Sequence, residues 1–324
     1  MDRNVQVSLK LEGKTSFKVK KQNPIKELTS NWQLYSMALP GLVFFALFSY
    51  YPLLWLQVAF RDFNIMDGAW HSPWVWFDNF KFFFRSQFFF RVTFNTVYIN
   101  LWFILVGTFT SVLLAILLNE LKSTIIKKLY QSALFLPFFL SWIVIGAFLY
   151  NLLGETYGTV NTLLTGLGFQ TVPWYSDPKL WRPILIAINT WQSAGYGVVI
   201  YLSTIVSINT ELFEAAQIDG ANRFQQIKFI TIPHLIPTIT IMVLMAIGRI
   251  FYGNFGMFYA LIGDNGLLYQ TTDIIDTYIF RAMRMDGTYG MATAVGLYQS
   301  VVGFIVVMVS NKLTKRYDDS LGLF

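Results

Sequence analysis

The chain has no cysteine and only two histidines, His71 and His234, far apart along it. Disulfides and thiolate metal sites are thereby excluded, and a site built from several imidazoles lacks material. Charge is scarce too: Asp, Glu, Lys and Arg make up 13% of the 324 residues, where soluble domains carry about 25%. No nucleophile–base pair, metal cluster or complete nucleotide motif can be assembled. Gly13-Lys14-Thr15 has the ending of a phosphate-binding loop, but Leu9 stands where that loop needs its first glycine, and no apolar strand precedes it. The first thirty residues lack the apolar core and small-residue cleavage site of a secretory signal.

What is abundant is apolar. Hydrophobic residues make up 55% of the chain, arranged in six stretches long enough to cross a hydrocarbon core about 30 Å thick as helices. They are Gln33 to Phe60, Thr93 to Asn119, Gln131 to Leu153, Pro183 to Thr204, Leu235 to Tyr259 and Gly290 to Asn311. Continuous apolar runs exclude the alternating strands of a membrane barrel, so the expected fold is an all-α membrane protein with six transmembrane helices. Alternate connecting segments, counting both tails, hold 15 Lys and Arg against 8 in the others. That bias puts both termini in the cytoplasm. It also turns the net charge of +6 toward the inner leaflet rather than nucleic acid; Lys18, Lys20, Lys21 and Lys26 suit anionic headgroups as well as a solvated tail.

One cytoplasmic connection, 205–235, is unusually polar for such a chain. Asn209 or Thr210 can cap a helix whose first turn carries Glu211 and Glu214, charges suited to a helix N-terminus. Ala215 and Ala216 keep that helix narrow, and Gly220 permits a reversal through positive φ. Phe224, Ile227 and Ile230 then recur at helical spacing, and Pro233 and Pro237 are expected to break the second helix and redirect the chain into span five. The product is an elbow projecting into water.

The run Glu214-Ala215-Ala216, then Gly220, Ile230 and Pro233, resembles the EAA loop of type I ABC-importer permeases (the MetI-like fold), with Ile232 where leucine is usual. Asn31-Trp32-Gln33-Leu34-Tyr35, Phe77-Asp78-Asn79-Phe80, Leu134-Phe135-Leu136-Pro137 and Tyr157-Gly158-Thr159-Val160-Asn161 are similar to sugar permeases of that family. Arg249-Ile250-Phe251-Tyr252 and Thr272-Asp273-Ile274-Ile275-Asp276 look like its polysaccharide branch. The resemblance spans residues 30 to 324 and implies the following. The loop is a coupling helix, with Glu211, Glu214, Ala215, Ala216, Asp219, Gly220, Arg223, Ile230 and Pro233 meeting an ATPase subunit. The partners are a second related permease, two ATPase subunits, an extracytoplasmic solute-binding protein, the bilayer and a carbohydrate, with an acidic glycan such as alginate as the expected cargo. This chain binds no cofactor and catalyses no bond chemistry; ATP and Mg belong to the ATPases. The organisation is then a basic tail (1–30), a first span with an external aromatic segment (31–92), a permease core (93–311) and a cytoplasmic tail (312–324).

Charged groups inside a span mark pathways or structural pairs. Arg249 is the one Lys or Arg well inside a span, near the middle of span five, and a guanidinium can pair with a uronate carboxylate or bond a helix carbonyl. Asn189, Gln192 and Tyr196 share a helical face that can line a cavity or glue helices; Asn254 is a weaker pathway candidate. Gly195 and Gly197 suit close packing or bending. The aromatic segment from Trp70 to Phe90, interspersed with Lys81, Arg85 and Arg91, reads as an interfacial helix rather than a sugar platform. Glu155, Asp177, Asp273, Asp276 and Arg281 are candidates for receiving the binding protein. The competing reading is an ion- or proton-coupled sugar transporter acting alone, which more often shows midplane acids and duplicated spans.

Overall fold

In the computed structural model, residues 31–317 are described. The basic tail, with its Lys cluster and the Gly13-Lys14-Thr15 run, and residues 318–324 lie outside them. The chain divides into two units, Met1–Trp55 and Leu56–Phe324. The described part of the first is a helix, α1 (Trp32–Phe45), which continues as a π-turn over Ala46–Tyr50. Beyond Gln33 and Ser36 in its first turns its side chains are apolar on every face, and none is buried, so its surface suits lipid or a partner rather than water.

The second unit holds α2 (Asp78–Arg85), α3 (Gln87–Asn119), α4 (Thr124–Phe135), α5 (Trp142–Leu153), α6 (Thr159–Gly166), α7 (Trp181–Val206), α8 (Thr210–Ile218), α9 (Arg223–Ile247), α10 (Phe255–Ile262), α11 (Ile275–Arg284) and α12 (Tyr289–Tyr317). An isolated bridge between Arg61 and Trp74 is the extended pairing among the described residues. Four helical stretches are long and apolar enough to cross a membrane, or up to six if two bent pairs each count as one span.

The bends correct the expected spans. Span three is not one rod: Thr124–Phe139 and Trp142–Leu153 meet at 96°. Pro137 sits in a tight turn, Leu140 and Ser141 are extended, and Ser141 Oγ accepts from Val144 N (3.4 Å) to start α5. Span five ends at Ile247, not Tyr259; a turn over Gly248–Asn254 follows before α10 begins. Conversely, Pro233 and Pro237 break nothing, since the helix runs from Arg223 through Ile247. The π-turn at Ile227–Thr231 lies just ahead of Pro233. Its widened ring loosens the stretch where the proline would otherwise clash with the Phe229 carbonyl.

Small residues draw the long helices together, as packing without a hydrophobic drive in lipid requires. On α7, a Cβ at Gly195 would run into the Leu134 carbonyl of α4 and lie 2.7 Å from Phe135 Cα, while one at Gly197 would lie 2.5 Å from Ser111 Oγ of α3. Ser111 Oγ in turn donates to the Ala194 carbonyl at 3.2 Å. Gly195→Ala is therefore expected to destabilise by about 1–3 kcal/mol, lowering the midpoint of thermal unfolding in detergent. Gly166→Ala, where a Cβ meets nothing within 4 Å, should leave that midpoint nearly unchanged.

The aromatic segment serves the core as well as the surface. Phe83 of α2 is buried against Phe89, Tyr278 and Tyr298, with ring centroids 5.3 to 5.8 Å apart, while Phe82 faces outward.

Candidate functional site: a polar cavity with one cation

A cavity of ≈ 980 Å³ opens between α3, α7, α9 and the Gly248–Asn254 turn. Its α3 wall carries Asn100, Phe103, Thr108 and Ser111; its α7 wall carries Asn189, Ser193 and Tyr196. Arg249 is the one charged side chain among the lining residues. Among the described residues its guanidinium has no hydrogen-bond or ion-pair partner. The cavity thus presents amides, hydroxyls and aromatic rings around a free, forked cation, with no carboxylate. Such a lining suits a polyhydroxylated ligand carrying negative charge.

The turn that carries Arg249 is fastened from three sides, because helix breaks leave backbone groups that must be paired. Asn100 Nδ2 of α3 donates to the carbonyls of Ile250 (2.9 Å) and Tyr252 (3.3 Å). Gln299 Nε2 of α12 donates to Phe251 O (2.6 Å), and Asp276 Oδ2 of α11 accepts from Gly253 N (2.7 Å). Burial pushes the Asp276 carboxyl above the usual carboxylate range, opposed by the bonds from Gly253 and Gln299. Asn254 ends the turn and caps α10, its Oδ1 accepting from Met257 N (3.1 Å).

Of the sequence-derived pathway residues, Arg249, Asn254, Asn189 and Tyr196 line the cavity. Arg249 does so from a turn, not from mid-helix. Gln192 lies elsewhere: its Nε2 donates to Phe138 O at the break between α4 and α5 (3.3 Å). Asn100, Thr108, Ser111 and Ser193 were missed. The recurrence of Asn100, Gly107, Thr108 and Ser111 at helical spacing within span two was the available signal.

The polar loop forms an elbow. Pro178–Val206 and α8 meet at 66°, and Asn209 Oδ1 caps α8 by accepting from Glu211 N (3.1 Å). Gly220 has φ +80°. Asn222 and Gln225 form a reciprocal capping box that starts α9. Glu211, Glu214, Ala215, Asp219, Arg223 and Pro233 are exposed, whereas Ala216 and Ile230 are half-buried.

On the segment between α10 and α12 the expected docking acids turn inward. Asp273, with a fully buried side chain, is paired with Arg91 (3.0 Å) and Arg281 (2.8 Å). Glu155 stays exposed, bonded to Ser176 Oγ (2.6 Å). Nearby, burial pushes the Tyr175 hydroxyl up to about 12.

Bent apolar helices around a polar cavity define a multi-pass membrane permease. No grouping of three or more potential metal ligands occurs among the described residues. Residues 107–319 match the family described as binding-protein-dependent transport system inner membrane component. The chain belongs to that family and is a non-catalytic permease subunit of an ABC importer. It is 33% identical over 291 residues to protein LplB of Bacillus subtilis, covering 90% of this chain and 91% of that protein. It is 31% identical over 302 residues to the polygalacturonan/rhamnogalacturonan transport system permease protein YteP of the same organism, covering 93% and 94%. Among solved structures, a chain of a bacterial ABC transporter involved in the import of the acidic polysaccharide alginate superposes with TM-score 0.84 at 34% identity, covering 92% of this chain and all of that one.

Proposed function

We propose that this permease forms half of the translocation pathway for an acidic oligosaccharide or polysaccharide, with a uronate-rich glycan such as alginate as its cargo. The Arg249 guanidinium, unpaired and the sole charged group lining the cavity among the described residues, carries this reading. Two of the similar proteins, named for polygalacturonan/rhamnogalacturonan and for alginate, support it. Arg249 engages a uronate carboxylate, while Asn189, Asn254 and Tyr196 meet hydroxyls and ring faces. A second related permease completes the pathway, a solute-binding protein delivers the glycan outside, and two ATPase subunits bind ATP and Mg in the cytoplasm. The elbow around Glu214 and Gly220 is the coupling helix that seats on an ATPase subunit, with both termini on that side.

Titration of the purified four-subunit importer, without binding protein, tests the cargo. Arg249→Ala is expected to weaken binding of an oligouronate by roughly ten- to a hundredfold, the worth of a charge-assisted hydrogen bond. Binding of the carboxyl-reduced counterpart should stay within about twofold. Equal losses for the two ligands would sink the proposal. Uptake by this chain alone, driven by an ion gradient, would overturn the ATP-driven assembly itself.

A further inference from the structure

Arg249 lies just past the end of α9, where the helical ladder gives way to three-residue turns: Arg249 N donates to Ala246 O (3.0 Å), Ile250 N to Ile247 O (3.0 Å) and Tyr252 N to Arg249 O (2.8 Å). Between Ile250 and Gly253, every residue has a backbone group held by a side chain from another helix. Asn100 and Gln299 supply donors to carbonyls. Asp276 differs, because it alone holds an amide: its Oδ2 accepts from Gly253 N (2.7 Å) and also from Gln299 Nε2 (3.2 Å). One carboxylate oxygen therefore clamps the turn directly and steadies the amide that clamps it a second time.

The fit around this oxygen is close. A Cβ on Gly253 would collide with the Ile274 side chain and approach Asp276 Oδ2 to 2.9 Å. Asp276 is in turn fixed from outside the cavity. It lies in the first turn of α11, whose entry is pinned by Thr277 Oγ1 accepting from Ile274 N (3.0 Å) and Thr96 Oγ1 accepting from Ile275 N (2.9 Å). Three residues upstream of Asp276, Asp273 makes its double ion pair with Arg91 and Arg281. A rigid block on one side thus meets a ligand-facing turn on the other through one carboxylate.

We infer that Asp276 is the positioning residue for Arg249: through the Gly253 amide and Gln299 it holds the turn so that the free guanidinium faces the cavity, and thereby sets selectivity for acidic glycans. The inference rests on the reading of Arg249 as the uronate partner. Asp276 touches no ligand in this scheme. Its effect passes wholly through the backbone of the turn, so it should disappear when Arg249 is absent.

The same calorimetric titration tests it, with an oligouronate and its carboxyl-reduced counterpart on the assembled importer. Asp276→Ala should weaken oligouronate binding about tenfold, the scale of one buried amide left unpaired, and spare the reduced ligand. Asp276→Asn, which keeps an acceptor oxygen for Gly253 N, should recover most of that loss. Gly253→Ala, which attacks the contact from the other side, should reproduce the selective weakening even if Asp276→Ala fails to assemble. In an Arg249→Ala background, Asp276→Ala should add nothing. Losses shared by both ligands, an additive double variant, or an asparagine as damaging as alanine would each reduce Asp276 to a structural role and overturn the inference. If Arg249→Ala alone fails to separate the two ligands, the cargo reading falls first, and that single variant shows it.

Discussion

Replacing Gly220 by proline is expected to abolish transport, at least a hundredfold, while ATP hydrolysis by the assembled importer continues; a hundredfold is about 2.7 kcal/mol of lost coupling. The expectation follows from how α8 ends. Gly220 N donates to Gln217 O (3.1 Å) and Ala221 N to Ala216 O (2.8 Å), the paired bonds of a Schellman motif around a left-handed residue. Gly220 occupies that conformation at φ +80°, whereas proline is locked near −65° and has no N–H. No atom lies within 4 Å of a Cβ at this position, so the damage is to the direction of the chain, not to packing. Gly220→Ala, which pays only the left-handed strain of about 1–2 kcal/mol, should give an intermediate loss. Hydrolysis and uptake measured together in proteoliposomes decide the matter. Coupling preserved in the proline variant would mean that the elbow does not transmit the ATPase motion.

Asp273→Ala is expected to cost about 3 kcal/mol, the lower end of the penalty for breaking a buried ion pair, because the two cations it leaves uncompensated are only partly buried. Asp273 Oδ1 and Oδ2 receive both Arg281 bonds (3.0 and 2.8 Å), Oδ2 also receives Arg91, and Oδ1 receives the Thr277 hydroxyl (3.0 Å). The Arg281 side chain is 16% exposed and that of Arg91 31%, so water can rescue Arg91 in part and Arg281 little. Beside them Asn95 Nδ2 donates to the Asp273 carbonyl (3.1 Å), and Arg182 Nη2 donates to Asn95 Oδ1 (2.7 Å). The alanine variant should therefore be lost from the membrane fraction or unfold at much lower temperature. Asp273→Asn, neutral but isosteric, should fall between. A wild-type unfolding midpoint in Asp273→Ala would mean that the ion pairs contribute nothing net.

The elbow was the most legible part of the chain because its signals act over a few residues. The Asn209 cap depends on a side chain reaching neighbouring backbone and the Gly220 reversal on the lack of a Cβ, and both occur where that chemistry directs; the Asn222 capping box that starts α9 emerged only in the structure. Proline misled for a complementary reason. It forbids one hydrogen bond and one close approach; at Pro233 the π-turn at Ile227–Thr231 relieves both, and Pro237 is carried within the helix without ending it. The cavity was half legible. On a helix turning 100° per residue, Tyr196 lies about 20° round from Asn189 and Gln192 about 60°. Tyr196 lines the cavity while stacking its ring on Phe138 (centroids 5.2 Å apart), whereas the Gln192 amide is taken up by the Phe138 carbonyl.

By itself the sequence determined that this is an all-α membrane protein, since long apolar runs without charge have no stable home in water. It also determined where the polar elbow bends, since caps and reversals are local. Only the tertiary structure decided that, among the described residues, Arg249 stands unpaired in a cavity while Asp273, 182 positions from Arg91, is paired twice. Whether a charge is free or satisfied depends on which distant helices meet it. Which helices meet is decided by packing between segments far apart in the chain, and the spacing along the chain does not encode it.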